Sequence, residues 1–158
     1  HVNIIESRWG LCNVIVNRDN FGRNNIMTKD QHTGGCQCGA VRYRFAKPTR
    51  GVVNCHCTQC RRTHGHFAAY TMALNDDFEL LEDRGLKWFR ASDTARRGFC
   101  QECGASLFWD RDSNNRISIA AGSLDSPTNL KTTDHIFVAD KGDYYEIDDG
   151  LPQHERGM

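Results

Sequence analysis

The sequence predicts a mainly β fold with short helical turns. Val41, Tyr43 and Phe45 alternate with two arginines, which is the period of a strand with one buried face. Short β-rich runs then follow one another, separated by polar turns, which is typical of an all-β meander. With 158 residues, of which 39% are hydrophobic, the chain has enough sequence for one domain with a modest core.

The first predicted strand, residues 41–45, leaves directly from a turn that carries Cys36 and Cys38. Gly35 and Gly39 flank this turn, and glycine lets the backbone fold tightly enough to aim both sulfurs at one point.

A second group of cysteines follows residues 52–54, which are predicted as a short strand. Residues 60–64 are predicted as one or two helical turns that end at Gly65. Residues 67–74 are again β-rich, with small side chains on one face. The later predicted strands are residues 78–81, 86–89, 97–99, 106–109, 117–121 and 135–138.

The first 26 residues have a different character, because asparagine and arginine are scattered among short apolar runs with no sustained period. Residues 27–32 look like an ordinary protein start. We expect residues 1–26 to be an N-terminal extension, such as a tag, an upstream-start extension or a disordered arm. The domain is predicted to span residues 27–158.

Three cysteines, Cys55, Cys57 and Cys60, lie within six residues. Side chains at 55 and 57 can converge only around a tight turn, and Cys60 returns one helical turn later. Three thiolates therefore point at one spot. Because zinc prefers four ligands in a tetrahedron, this group predicts a metal site with an open position, which is typical of catalytic or ligand-binding sites.

Two further cysteine pairs bracket this group, Cys36 with Cys38 and Cys100 with Cys103. Together they supply four sulfurs, a complete ligand set of the kind found in structural zinc sites. We therefore predict two zinc ions per chain, one structural and one at the three-cysteine site. Of the eight cysteines, only Cys12 is left over.

Two alternatives stay open at this point. The cysteines could form disulfides, although Cys-x-Cys spacing is poor for a bridge within the pair. Both sites could instead bind zinc for folding alone, with a distant residue or one of His56, His64 and His66 completing the second site.

The overall charge is balanced, with 20 basic and 20 acidic residues. Nothing in this balance favours a general electrostatic grip on nucleic acid or an anionic membrane. A small-molecule partner fits better. Thiol ligands need a reducing compartment to stay unpaired, so we expect a soluble cytoplasmic protein.

Three cysteine motifs carry a resemblance to a known family. They are C-x-C-G-A-V-R-Y at residues 36–43, N-C-H-C-x-x-C-R-R at residues 54–62 and G-F-C-x-x-C-G-A-S-L at residues 98–107. The chain resembles the glutathione-dependent formaldehyde-activating enzyme family, which also includes centromere protein V. The similarity extends through A-G-S-L-D at residues 121–125 and H-I-F at residues 135–137.

The resemblance implies a tent-like zinc-binding β fold with several antiparallel sheets around the structural zinc. It places that zinc on Cys36, Cys38, Cys100 and Cys103, and the second zinc on Cys55, Cys57 and Cys60. In the type enzyme, the second zinc is associated with glutathione and with formation of S-hydroxymethylglutathione from formaldehyde. The implied function is therefore that of a carbon-sulfur lyase. The family is functionally mixed, so a non-catalytic zinc-stabilised binding module, or a zinc enzyme acting on another small thiol or electrophile, stays open.

The candidate catalytic residues are Cys55, Cys57 and Cys60 with His56. Addition of a thiolate sulfur to formaldehyde leaves an alkoxide that needs a proton, and a histidine titrates in the right range to supply one; His64 and His66 are further candidates. Arginine suits the two carboxylates of glutathione. The candidates for that role are Arg61 and Arg62, and also Arg96 and Arg97.

Overall fold

A computed structural model describes residues 31–158, so the predicted extension over residues 1–26 lies outside the described residues. The mainly β prediction is confirmed. The elements are β1 (His32–Gly35), β2 (Arg42–Phe45), β3 (Arg50–Cys55), α1 (Thr58–His64), β4 (Ala68–Leu74), β5 (Phe78–Glu82), β6 (Leu86–Ser92), β7 (Ala95–Cys100), β8 (Ser106–Arg111), β9 (Arg116–Ala120), β10 (Thr132–Ile136) and β11 (Gln153–His154).

The strands form two sheets. One has three antiparallel strands in the order β1-β2-β5, and the other has eight strands in the order β11-β10-β3-β4-β9-β8-β7-β6. In the larger sheet β10 runs parallel to both β3 and β11, whereas the family resemblance implied antiparallel sheets. β10 reaches β3 through a long excursion of the chain, and such a connection permits parallel pairing where a hairpin does not.

The main core lies between the two sheets, and the alternation that predicted β2 accounts for it. Tyr43 and Phe45 are fully buried, whereas Arg42 and Arg44 form ion pairs at the surface. The Tyr43 ring packs edge-on against Phe108 of β8, with ring centroids 5.1 Å apart. One face of β2 is therefore apolar and the other charged.

The cysteine-rich turn after β3 is held between well-paired strands. β3 lies between β10 and β4 in the larger sheet, and α1 starts three residues after β3 ends. The predicted helical turns are confirmed, and the helix ends at Gly65 with φ of 82° in the left-handed region, where glycine carries no steric penalty.

Three strands differ from the predictions made from the sequence. β1 and β11 were not predicted, because each is short and has no apolar alternation. The strand predicted over residues 135–138 stops at Ile136, because Phe137 adopts a left-handed backbone (φ 57°) and begins a short 3-10 turn. No helix in the described part of the chain is long and apolar enough to cross a membrane.

Candidate metal centres

The four-sulfur site joins two distant turns. Cys36 and Cys38 lie between β1 and β2, whereas Cys100 ends β7 and Cys103 follows in the turn before β8. All four sulfurs lie within 4.8 Å of one another. The Sγ atoms of Cys36 and Cys38 are 3.6 Å apart, and those of Cys38 and Cys100 are 3.8 Å apart. A tetrahedron with zinc–sulfur bonds of about 2.3 Å has edges of about 3.8 Å, so this cluster suits zinc.

The backbone of both turns is shaped for this arrangement. Gly39 (φ 80°) and Gly104 (φ 74°) adopt left-handed conformations that disfavour any residue with a β-carbon. The Val41 N–H donates a hydrogen bond to Cys36 Sγ over 3.3 Å. Since Cys36 and Cys38 lie in the turn that joins two strands of the three-stranded sheet, and Cys100 ends a strand of the larger sheet, a metal ion here would tie the two sheets together.

The three-sulfur cluster is local. Cys55 ends β3, the Cys57 side chain caps α1 by accepting a hydrogen bond from the Cys60 N–H over 3.4 Å, and Cys60 lies buried in the first turn of the helix. The three sulfurs lie within 4.8 Å of one another, and within residues 31–158 no other cysteine, histidine or carboxylate places a ligand atom in this group. All seven cysteines of that range are free, so neither cluster contains a disulfide.

The sulfurs of this cluster do not titrate alike. The Cys55 and Cys60 thiols, followed by backbone N–H groups of the first helical turn, hold the pKa of Cys57 well below its ordinary value. Hydrogen bonding to Cys57 and Cys60, followed by burial, raises the pKa of Cys55. The Cys57 thiolate is thus stabilised by N–H groups at the start of α1.

His56 lies between two of these cysteines, but its ring is directed into the protein. Its Nε2 is 2.9 Å from Nδ1 of His135, and its Nδ1 is hydrogen bonded to the Tyr145 hydroxyl. His135 Nε2 donates to the Asp149 carboxylate over 2.8 Å. Burial, followed by the nearby His135, lowers the pKa of His56 to about 4, so its ring is neutral at pH 7.

These contacts set the direction of a hydrogen-bonded chain. With the His135 ring neutral, the nitrogen that does not donate to the carboxylate accepts from His56 Nε2, and His56 Nδ1 then accepts from the Tyr145 hydroxyl. Sequence reasoning named His56 but missed His135 and Asp149, which lie 79 and 93 positions further along the chain. No local spacing signals such a contact.

The other two candidate histidines are also bonded to tyrosines. His64 Nε2 lies 3.0 Å from the Tyr70 hydroxyl, and His66 Nδ1 lies 3.2 Å from the Tyr144 hydroxyl. Burial, followed by the charge of Arg97, lowers the pKa of His64 to about 4. Neither histidine places a nitrogen in the three-sulfur cluster.

Of the four candidate arginines, Arg97 is the one that reaches the cluster. Its Nη2 lies 3.5 Å from Cys60 Sγ and 2.8 Å from the Gln59 side-chain oxygen, and its Nη1 lies 3.4 Å from the Tyr70 hydroxyl. Arg97 is only 7% exposed. It also lines a cavity of about 260 Å³ that opens beside α1.

The remaining arginines lie further out. Arg61 and Arg62 are in the last turn of α1, where Arg62 is exposed and Arg61 is half-buried. Arg96 points to the other face of β7, where it forms an ion pair with Asp110 (2.7 Å) and lies over the Trp88 ring. The period of a strand could have separated Arg96 from Arg97 in the sequence, since neighbouring side chains point to opposite faces.

Comparison with known proteins agrees with this geometry. The model of the family described as glutathione-dependent formaldehyde-activating enzyme matches residues 31–140. A Halomonas elongata protein, itself named only provisionally as a glutathione-dependent formaldehyde-activating enzyme, is 29% identical over 127 residues, a match that covers 73% of this chain and 80% of that protein.

A solved structure shows the same fold. The crystal structure of a Rhodobacter sphaeroides protein matches with a TM-score of 0.54 at 21% identity, covering 77% of this chain and 98% of that one. The family match includes all three cysteine motifs and both sulfur clusters. The chain therefore belongs to the glutathione-dependent formaldehyde-activating enzyme family.

Proposed function

We propose that the protein is a zinc-dependent carbon-sulfur lyase of the S-(hydroxymethyl)glutathione synthase type, which joins the thiol of glutathione to formaldehyde. The observation that carries this proposal is the convergence of the Cys55, Cys57 and Cys60 sulfurs, without a fourth protein ligand among the described residues. The name of the family and that of the Halomonas relative support the same chemistry.

Zinc is the proposed metal at both clusters. A set of four thiolates suits a structural zinc, and a set of three suits a zinc that accepts an outside ligand. When bound at the three-sulfur cluster, zinc would lower the pKa of an incoming thiol and hold its sulfur as a thiolate. Free thiols of this kind persist in a reducing compartment, so we also propose a cytoplasmic location.

The reaction needs few groups from the protein. The thiolate sulfur forms a bond to the carbonyl carbon of formaldehyde, the carbonyl π electrons move to oxygen, and the resulting alkoxide takes up the proton that the thiol released. His56 is the proposed participant in this proton transfer. Its Nδ1 is hydrogen bonded to the Tyr145 hydroxyl, so the pair would hold the proton in transit. Tyr145 would take up the thiol proton at its oxygen while passing its own proton to His56 Nδ1, and the reverse transfer would deliver a proton to the alkoxide.

Arg61 and Arg62 are the proposed partners of the glutathione carboxylates. They follow the cluster directly on α1, and a planar guanidinium binds a carboxylate through two parallel hydrogen bonds. The thiol of the same molecule could then reach the sulfurs one turn earlier on the helix.

Exchange NMR with ¹³C-formaldehyde and glutathione tests the proposal, because it measures adduct formation at equilibrium and separates catalysis from the uncatalysed reaction. We expect the zinc-loaded protein to accelerate exchange and Cys57→Ser, still folded, to lose the acceleration. A protein with both metals bound that leaves the uncatalysed rate unchanged overturns the proposal and favours a zinc-stabilised binding module. Acceleration with another thiol alone would assign a different substrate to the same site.

A further inference from the structure

Arg97 is a buried cation whose hydrogen-bond partners carry no carboxylate. They are the amide oxygen of Gln59, the hydroxyl of Tyr70 and the sulfur of Cys60. No carboxylate of the described residues lies within ion-pairing distance of its guanidinium, whereas the neighbouring Arg96 pairs with Asp110. A charge with so little exposure is costly unless an opposite charge is near. The three-sulfur cluster is the group in contact with it that can carry negative charge.

The net charge of the metal-loaded cluster also favours a positive charge beside it. A divalent metal ion with three thiolates has a net charge of −1, and a fourth thiolate brings the net charge to −2. Arg97, fixed 3.5 Å from Cys60 Sγ, reduces these values to 0 and −1. Exchange of a bound water for a thiolate adds one negative charge beside the arginine, so the arginine favours the thiolate.

We infer that Arg97 is the built-in counter-charge of the three-sulfur cluster and makes the cluster prefer an anionic fourth ligand, a thiolate, over water. This inference rests on the proposed function and assigns a positioning role to a residue beyond the metal ligands. It also gives the arginines different roles. Arg97 acts on the sulfur of the incoming thiol, whereas Arg61 and Arg62 are left to bind its carboxylates.

Gln59 makes the idea testable without removing the buried side chain. Its side-chain oxygen accepts two hydrogen bonds from the Arg97 guanidinium (2.8 Å and 3.3 Å), and the residue is exposed. Gln59→Glu keeps the size of the side chain and supplies a carboxylate that takes up the charge of Arg97, with loss of the hydrogen bond that Gln59 Nε2 donates to the Ala91 carbonyl oxygen over 3.0 Å. A purely structural role predicts that this stronger pair leaves ligand binding unchanged, whereas the counter-charge role predicts weaker thiolate binding.

The experiment uses the 158-residue chain loaded with cobalt(II), whose absorption reports each thiolate that joins the metal. The probe is 2-mercaptoethanol, a thiol without carboxylates, so that Arg61 and Arg62 do not contribute. We expect Arg97→Gln and Gln59→Glu to weaken its binding by about 10- to 100-fold, the usual range for residues that support metal ligands. Arg97→Lys, which keeps the charge, should recover part of the affinity, and Arg96→Gln is the matched control that should bind like wild type.

Binding of 2-mercaptoethanol to Gln59→Glu as tight as to Arg96→Gln would overturn the inference, whether or not Arg97→Gln folds. The measurement contains no formaldehyde, so its failure is distinct from failure of the proposed function. A protein that binds thiols through Arg97 but does not accelerate the addition overturns the function alone. A protein that accelerates the addition with thiol binding indifferent to Arg97 overturns the inference alone.

Discussion

Loss of a ligand from the four-sulfur site should destabilise the protein far more than loss of a ligand from the three-sulfur cluster. The first site links Cys38 to Cys100, 62 positions apart, whereas the second links residues such as Cys57 and Cys60, three positions apart. The entropic free-energy cost of closing the loop in the unfolded chain is about 3 kcal/mol larger for the longer loop. A metal cross-link therefore removes more freedom from the unfolded state at the first site.

The substitutions that compare the two sites are Cys100→Ser and Cys57→Ser. The difference of about 3 kcal/mol corresponds to a gap of roughly 10 °C in melting temperature for a domain of this size, before the loss of metal-binding free energy is added. Thermal unfolding by circular dichroism, with zinc content measured on the same samples, checks the gap. We expect one zinc per chain and a folded domain for Cys57→Ser.

Cys103→Ser is the control for burial, because Cys100 is completely buried and Cys103 is exposed. Since both sulfurs belong to the same site, Cys103→Ser should approach Cys100→Ser in melting temperature. If Cys57→Ser melts as low as these two variants, the assignment of one structural and one functional cluster is refuted.

Four further substitutions test the local structure and its pH dependence. Gly65→Ala places a β-carbon at φ 82° and should cost about 1 kcal/mol of unfolding free energy, measured by chemical denaturation. Gly34→Ala puts a β-carbon 2.5 Å from the Ser123 carbonyl oxygen and should lower the free energy of unfolding by about 1–3 kcal/mol. Gly122→Ala has open space around its β-carbon and should be nearly neutral. Equal losses of stability in the two variants would contradict the packing described. The pKa of His64 is about 4 in the folded protein, against an ordinary value of 6.5. The unfolded state therefore binds the proton at higher pH, and the free energy of unfolding falls as the pH drops from 6.5 to 4. His64→Gln should flatten this slope in pH-dependent denaturation, and an unchanged slope would show that His64 is not the group responsible.

Short-range spacing made the three-sulfur cluster predictable. Three sulfurs in six residues have few ways to arrange themselves around a tight turn, and alternation along β2 identifies its buried face. The helix was predicted for a similar reason, because Gly65 marks its end in the sequence. Each of these signals lies within a few residues of the feature it predicts.

The contacts around the three-sulfur cluster were not predictable, because they join residues distant in sequence. Arg97 and Cys60 are 37 positions apart, and His56 and Tyr145 are 89 positions apart. The pairing of β10 with β3 brings His135 beside His56. Strand order and register decide such contacts, and the sequence pattern of a single strand does not reveal which neighbour it will have.

The central claim is that Cys55, Cys57 and Cys60 hold one metal ion whose fourth ligand is the sulfur of a visiting thiol. Cadmium-113 NMR of the cadmium-substituted protein tests it directly, since the chemical shift rises with the number of sulfur ligands and the four-sulfur site serves as an internal reference. We predict two signals, of which only the one from the three-sulfur cluster moves on addition of glutathione, towards the position of the other. Two signals that both stay fixed under saturating glutathione would contradict the account.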